Sequence, residues 1–468
     1  MAGARAPLTV LLLAAGQGTR LKSKTIKLLH PVAGQPMVTW VARATQALRP
    51  SASVAVVGFQ GDRVQEALAG LCDRFAIQAE QRGTGHAVMQ AAGLLRGARG
   101  PLLIVNGDLP NLTPATLRAL VALHRKSKAA LALVTTDLPD ATGYGRIVRD
   151  AKGRVVRIVE HKDASAEERK IKEINCGIYC AESSALMASL KKLRPDNAQR
   201  EYYLTDAVHA LIAKGEVVVA LKHAGSDEVL GVNTRTELAA AGALLYARKA
   251  AELQDAGVTL LDASRTWIDP RARIGRDTVL YPDVLVEGET VIGEDCVVRS
   301  GTRLANMVLG RGVEVKDHCV LADSRIGDEA QLGPFAHLRP GSVLEAKAKV
   351  GNFVELKKTR LGKGSKAPHL AYLGDAEIGP GCNIGAGTIT CNYDGTAKHK
   401  TTLGPGVFIG SDSQIVAPVT VGEGAYVGAG TTVTEDVPPG ALAISRVRQL
   451  NLEGWVSRRK KKAVTSHS

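Results

Sequence analysis

The run Leu13-Ala14-Ala15-Gly16-Gln17-Gly18-Thr19-Arg20, with Lys27 seven residues further on, has the residue types for holding phosphate. Small residues let backbone N–H groups approach phosphate oxygens, and Arg20 and Lys27 add fixed positive charge. A bare Gly-x-Gly is an ordinary tight turn. The longer string with its two cations is far more specific. Asn106-Gly107-Asp108 is a second candidate, although Asp108 taken alone would read as a strand-end cap.

Both segments follow short apolar runs. Thr9–Leu13 and Leu102–Val105 read as strands, as does β-branched Val54–Val57, while Met37–Leu48 and Thr84–Leu95 have helical spacing. Strands alternating with helices over the first 230 residues predict a mostly parallel sheet covered on both faces. Ligands in such sheets sit beyond the carboxyl ends of the strands, where both candidate segments fall. Residues 234–255 read as one amphipathic helix leading to a different kind of sequence.

From about 265 to 445 an aliphatic residue followed by Gly recurs, from Ile274-Gly275 to Val427-Gly428, mostly in steps of 6, 12 and 18. This is the hexapeptide period of a parallel β-helix, with three hexapeptides per triangular coil. The aliphatic side chains are expected to point inward, and the glycines to turn corners at positive φ. The period breaks once, between Ile384 and Leu403, at the polar insertion Cys391–Lys400. An insertion on a solenoid commonly lines a binding face. One prism offers few concavities, so ligands are expected in clefts between symmetry-related prisms, and a cyclic trimer is the natural closed arrangement.

Composition bounds the function. The chain has 468 residues, 45% of them hydrophobic, enough for more than one core. Its net charge of +14 first suggests nucleic acid, an anionic membrane surface or phosphorylated substrates. Aromatics at 4% argue against base-stacking platforms. The charge concentrates in residues 1–230, at +11, and in a basic tail with Arg458, Arg459, Lys460, Lys461 and Lys462. That tail reads as a solvated, mobile end. No run approaches the roughly 20 apolar residues of a membrane span. Leu8–Ala15 reads as a strand running into a loop and not as a signal-peptide core. Seven scattered cysteines form neither a disulfide framework nor a zinc spacing, so a reducing cytoplasm is expected.

Further segments follow in order: Gln78–Ala87, Thr142–Ile147, Ile158–Asp163, Glu173–Gly177 and Glu201–Asp206. With the phosphate-type loop they resemble the sugar-phosphate nucleotidyltransferases. On the β-helix, Arg339–Gly341, Gly351–Lys358 and Lys366–Asp375 resemble an acetyltransferase half. Over nearly its whole length the chain resembles the family of bifunctional N-acetylglucosamine-1-phosphate uridyltransferases / glucosamine-1-phosphate acetyltransferases. The resemblance implies an α/β Rossmann-like nucleotidyltransferase domain at 1–232, a linker helix at 233–256, a left-handed parallel β-helix at 257–446 and a basic tail at 447–468. It also implies UTP, N-acetylglucosamine 1-phosphate, glucosamine 1-phosphate and acetyl-CoA as substrates, with Mg²⁺ as cofactor. A cytoplasmic homotrimer without nucleic-acid binding or membrane insertion is expected, feeding cell-wall and lipopolysaccharide precursors.

Residue by residue, the resemblance puts Leu13, Ala14, Ala15, Gly16 and Lys27 in contact with the nucleotide, with Arg20 and Lys27 as the catalytic cations at its phosphates. Gln78, Gly83 and Thr84 would hold the base, Gly145, Glu160 and Asn175 the sugar, with Asn106 and Gly107 also in contact. Asp108 and Asn233 would hold the metal. In the second half His369 would be the base that takes the amine proton, since histidine exchanges protons near neutral pH. Arg339 and Lys357 would grip phosphate, while Tyr372, Asn383, Asn392 and Tyr393 would orient sugar and acyl group. Ala386, Ser411, Ala429 and Arg446 would touch acetyl-CoA, as would Asn392 and Tyr393.

The chain departs from the family at three places. Thr25-Ile26 stands where a Leu-Pro-like pair is usual, so the loop there is expected to be less rigid. Asn106 stands where Tyr is common. Pro368 stands where a small residue is usual, and is expected to restrict Ala367 and shift the His369 backbone. Two other readings compete with the bifunctional one. The first is nucleotidyl transfer alone, with the β-helix serving assembly. The second is a nucleic-acid-binding or scaffolding protein using the basic tail.

Overall fold

Apolar β-branched runs build a sheet buried on both sides. In the computed structural model, which describes residues 7–465, the first run forms β1 (Thr9–Ala14). Val10, Leu12 and Ala14 of β1 enter one core cluster, and Leu11 enters another on the opposite face. Side chains alternate in a strand, so two apolar faces require two covering layers. The other strands are β2 (Ala52–Val57), β3 (Arg74–Ile77), β4 (Pro101–Asn106), β5 (Leu131–Asp137), β6 (Arg146–Arg149), β7 (Val155–Val159), β8 (Glu173–Glu182) and β9 (Val218–Lys222). The main order is β9-β5-β8-β4-β1-β2-β3, with β6 and β7 on a side branch from β8. β1 runs parallel to β2 and β4, but β8 is antiparallel to β4 and β5. The covering helices include α1 (Met37–Gln46), α2 (Gly61–Ala67), α3 (Thr84–Gln90), α4 (Pro114–Ser127), α5 (Ser183–Leu190) and α6 (Leu204–Ala213).

A long helix, α7 (Arg235–Asp255), follows, close to the span predicted for it. The chain divides into two compact units between Tyr246 and Ala247. The second unit is the β-helix. Its strands pair in parallel across a step of one coil, as in Val279↔Val297 and Val297↔Glu314, and this repeats on three faces. Ile292, Leu309, Ile326, Leu332, Val350, Ile378, Ile384, Ile409, Val421 and Val427 all point into one continuous core. Each such side chain gains about 1.5–3 kcal/mol on burial, so the period itself is the source of stability.

The glycines that follow these residues do a different job from the one expected. Most do not have positive φ; Gly333 is an exception. Coils approach so closely at these corners that a Cβ would collide with the next coil. At Gly410 it would lie 2.5 Å from the Ala429 nitrogen. The left-handed residue comes two positions later, and is Asp277, Asp295, Gly312, Glu329, Gly364, Gly387 or Asp412 in successive examples.

Two longer strands, β10 (Lys349–Lys357) and β11 (Lys366–Gly374), run side by side with Asn352 opposite His369. Two residues before the left-handed Leu370 (φ 43°), Pro368 sits inside β11. Its neighbour across the ladder is Gly351, where a Cβ would come within 1.7 Å of the Pro368 carbonyl. Proline's demand that Ala367 be extended is what a strand already supplies.

The tail has no helix or strand over 447–454 and is helical beyond it. It forms α8 (Trp455–Thr465), in which Arg459 lies over the Trp455 ring one helical turn away. This cation–π pair and a run of good helix formers favour the helix. Residues 466–468 of the expected mobile end lie outside the described residues.

Gly410→Ala should destabilise the β-helix by on the order of 1–3 kcal/mol, as overpacking does. A lowered melting temperature checks this. An unchanged one would contradict the close-approach account.

Candidate active sites

Two cavities meet at the carboxyl ends of β1 and β4. Leu13 pairs with Asn106, and the Gly107 N–H donates to the Leu13 carbonyl at 2.9 Å. That register brings the phosphate-type loop against Asp108. The first cavity, about 280 Å³, is lined by Leu13, Ala15, Gly16, Lys27, Gln78, Gly83, Thr84, Asn106, Gly107 and Asp108. Ala14 is fully buried and lines neither cavity, so the structure does not bring this expected contact to the site. The second cavity, about 430 Å³, is lined by Arg20, Gly145, Glu160, Asn175 and Asn233 among others. Asp108, Asn106 and Thr84 border both.

Asp108 is tied to the loop by charge. The Lys27 ammonium donates to Asp108 Oδ2 at 2.6 Å and to Asn233 Oδ1 at 3.0 Å. Arg20 donates to the same Asn233 oxygen at 2.8 Å. Asn233 is held over Asp108 because the Val232 N–H donates to the Asp108 carbonyl at 2.9 Å. Gly231 makes the approach possible: a Cβ there would lie 3.0 Å from Asp108 Oδ2. Two hard oxygens, one carboxylate and one amide, therefore converge on one cation position. That donor set fits Mg²⁺, which takes one or two protein oxygens plus phosphates and waters.

In the first cavity the buried Gln78 amide donates to the Gly83 carbonyl at 3.2 Å and lies 3.0 Å from His86 Nδ1. The Thr84 hydroxyl accepts from the Leu204 N–H at 3.1 Å, joining this wall to the start of α6. In the second, Asn175 pairs with Thr135 of β5 just before the β8 ladder shifts register ahead of Tyr179. Its amide donates to the Tyr179 hydroxyl at 2.6 Å. Burial pushes the Glu160 carboxyl above its ordinary range. A 3.1 Å hydrogen bond from the Thr205 hydroxyl opposes this, and the Asp206, Asp163 and Glu201 charges add to it. Burial also raises the Tyr144 phenol, with the Glu237 and Asp108 carboxylates adding to it. Tyr144 and Glu237, both lining the second cavity, escaped the sequence reading.

On the β-helix, His369 Nδ1 lies 2.8 Å from Asn352 Oδ1. An amide oxygen can only accept, so Nδ1 carries a proton, and in the neutral imidazole the lone pair is then on Nε2. Asn352 was missed as a functional residue, and only the strand register reveals it. The Gly387 N–H donates to the Leu370 carbonyl at 2.7 Å, and the Asp412 N–H to the Ala386 carbonyl at 2.7 Å. Ala386, Ser411 and Ala429 each follow a corner glycine, so the coils stack them in one column beside the His369 strand. Arg446 closes the column by donating to the Ala429 carbonyl at 2.5 Å.

A separate cluster forms around Asp375. Lys357 donates to its Oδ2 at 2.8 Å, and the Asn392 amide donates to the same oxygen. Burial opposes the Asp375 charge, but these two hydrogen bonds outweigh it and hold the carboxyl below its ordinary range. The bond to Asp375 raises the Lys357 ammonium. Arg339 pairs with Glu355 at 3.0 Å, and Glu355 stands opposite Tyr372 in the ladder. Asn383 lies one coil above Lys366. In the insertion, His399 Nε2 lies 2.7 Å from Asp394 Oδ2, and the His399 N–H donates to the Asn392 carbonyl. His399 thus fastens the loop that carries Asn392 and Tyr393. The Tyr393 side chain is turned out, with its hydroxyl donating to the Gly395 carbonyl at 2.5 Å.

Comparison with known proteins agrees with this division. The nucleotidyl transferase family matches residues 9–269, a GMPPB C-terminal domain residues 263–361, and the bacterial transferase hexapeptide (six repeats) residues 400–435. The bifunctional protein GlmU of Geotalea uraniireducens is 48% identical over 454 residues, spanning 97% of this chain and 99% of its own length. That of Trichlorobacter lovleyi is 50% identical over 448 residues, 95% and 97% of the two chains. That of Brevibacillus brevis is 49% identical over 441 residues, 94% and 95%. With identity of this order along both units and both sets of motifs in place, the chain belongs to the bifunctional GlmU family.

Proposed function

We propose that the chain makes UDP-N-acetylglucosamine in two steps, one in each unit. The β-helix transfers an acetyl group from acetyl-CoA to glucosamine 1-phosphate. The first unit then transfers uridylyl from UTP to N-acetylglucosamine 1-phosphate. The order follows from the chemistry, because the acetylated product is the second substrate. The carrying observation is the convergence of Asp108, Asn233 and Lys27 where two cavities meet.

In uridylyl transfer a phosphate oxygen of the sugar attacks the α-phosphorus of UTP. The bond to the β-phosphate oxygen breaks and pyrophosphate leaves. The protein's part is alignment and charge neutralisation. Mg²⁺ held by Asp108 and Asn233 would neutralise phosphate charge. Lys27 shares those two oxygens, so when released it has the triphosphate as its nearest anion, with Arg20 beside it. Gln78, Gly83 and Thr84 bound the base end, and Gly145, Glu160 and Asn175 the sugar end.

In acetyl transfer the 2-amino group attacks the thioester carbonyl. His369 Nε2 takes the amine proton, the C–S bond breaks, and the proton passes to the departing thiolate. Asn352 holds the imidazole in the tautomer this needs. Lys357 and Arg339 meet the sugar phosphate, while Asn392 stays fixed through Asp375. Asn383, Tyr372 and Tyr393 orient the sugar and acyl group. The column from Ala386 to Arg446 carries acetyl-CoA. The hexapeptide-repeat architecture, in which one prism offers few concavities, supports the reading that the working form is a homotrimer with this site in its clefts. UTP and acetyl-CoA are cytoplasmic metabolites and all seven cysteines are free thiols, which supports a cytoplasmic enzyme.

Asp108→Ala should abolish uridylyl transfer and leave acetyl transfer intact, and His369→Ala should do the reverse, in an assay that follows each product. Normal acetylation by the His369 variant would refute the base assignment. Asn352→Ala should lower kcat for acetylation roughly ten- to hundredfold, as misplacement of a catalytic group does, with KM for acetyl-CoA unchanged. Glu160 bears on stability. Its carboxyl is raised in the folded state, so the unfolded chain releases that proton first as pH rises. Its contribution to stability is therefore lost on going from the ordinary glutamate range up through the raised value. Glu160→Gln should melt higher than the wild type at neutral pH, with the gap closing toward pH ~4.3. A gap independent of pH would contradict this.

A further inference from the structure

Glu237 lies behind the amide that meets the cation position. The Asn233 and Thr234 N–H groups both donate to Glu237 Oε2, at 2.5 and 3.1 Å. The Glu237 N–H donates to the Thr234 hydroxyl at 3.2 Å. This is the reciprocal capping box of a helix N-terminus, with Thr234 as N-cap and Glu237 three residues in. An ordinary box satisfies the N-cap N–H alone. Here the shorter bond goes to the residue before the cap, which is Asn233.

That extra bond completes a set. The Val232 N–H is fixed by the Asp108 carbonyl, the Asn233 N–H by Glu237, and the Asn233 side-chain N–H by the Gly231 carbonyl at 3.1 Å. The amide oxygen is thereby left facing Lys27 and Arg20. A side chain is placed to within a fraction of an ångström only when both its backbone and its other polar end are held. We infer that Glu237 is a positioning residue for Asn233, fixing the amide oxygen that shares the cation position with Asp108. The capping box that starts α7 thus also builds the nucleotidyl-transfer site. This inference rests on the reading of Asp108 and Asn233 as metal ligands given above.

The test is an electron paramagnetic resonance titration of Mn²⁺ into the full-length chain without nucleotide. Asp108→Ala, Glu237→Ala and Glu237→Gln are compared with the wild type. Glu237→Ala should weaken Mn²⁺ binding about tenfold, the lower range for loss of an outer partner of a metal ligand. It should also raise the Mg²⁺ concentration for half-maximal uridylyl transfer, while acetyl transfer by the same chain stays unchanged. Glu237→Gln retains an acceptor for both N–H groups and should restore most of the affinity. A Glu237→Ala protein that only melts lower, with wild-type Mn²⁺ binding, would reduce Glu237 to a helix cap. A Gln variant as weak as the Ala variant would also overturn the positioning role. Should Asp108→Ala bind Mn²⁺ as the wild type does, the metal reading itself fails. Loss with Asp108→Ala but not with Glu237→Ala sinks the inference alone.

Discussion

One carboxylate at the end of an interior strand constrains the first unit. Asp108 is only 20% exposed, and a charge so placed needs a partner at short range. Lys27 supplies it at 2.6 Å, from a loop 81 residues away in the chain. The pairing works only if β1 and β4 are neighbours running in the same direction, so that their carboxyl ends coincide. The sheet order provides this, and the Leu13↔Asn106 register sets the level. Asn233 then reaches the same point from the other side, because Val232 is bonded to the Asp108 backbone. Three distant segments are held together by one concentration of charge. It sits where a triphosphate and a sugar phosphate would have to meet.

The second unit uses repetition where the first uses convergence. A step of one coil brings residues into vertical columns, so a position acquires neighbours from its phase in the repeat. Ala386, Ser411 and Ala429 share a phase and so a column, although the loop Cys391–Lys400 separates the first two in sequence. Asn352 lies under His369 for the same reason. The insertion swings out and returns in phase, held by His399 and Asp394, and delivers Asn392 to Asp375.

How far these arrangements are legible in the sequence depends on whether their cause is local. The hexapeptide period is legible because every inward position repeats the same burial. The roles of its glycines were not, because close approach of the next coil and positive φ both select glycine, and only coordinates separate them. Thr234-x-x-Glu237 is a local pattern that could have been read as a helix start. Its bond to Asn233 depends on the chain's path before the helix. The bonds from Lys27 to Asp108 and from Asn352 to His369 required sheet order and coil register. The antiparallel β8 was not anticipated either, since buried strands of both senses have the same apolar composition.

The three departures from the family pattern test how locally a site is specified. Ile26 cannot fix its own φ as a proline would, yet it lies at −55° with ψ 142°. Packing does this instead: Ile26 is 1% exposed and its N–H donates to Gln60 Oε1 at 3.3 Å. Asn106 puts its amide over Gly177, in space that any side chain there would occupy. Pro368 extends a residue that β11 already holds extended, beside a glycine that leaves room for its carbonyl. At Ile26 the neighbours supply what the substituted residue lacks, and at Asn106 and Pro368 a glycine leaves the room the residue needs. A motif residue is thus replaceable where its surroundings impose the same conformation. The charged groups have no such substitutes: no packing arrangement can stand in for the carboxylate of Asp108 or the ammonium of Lys27.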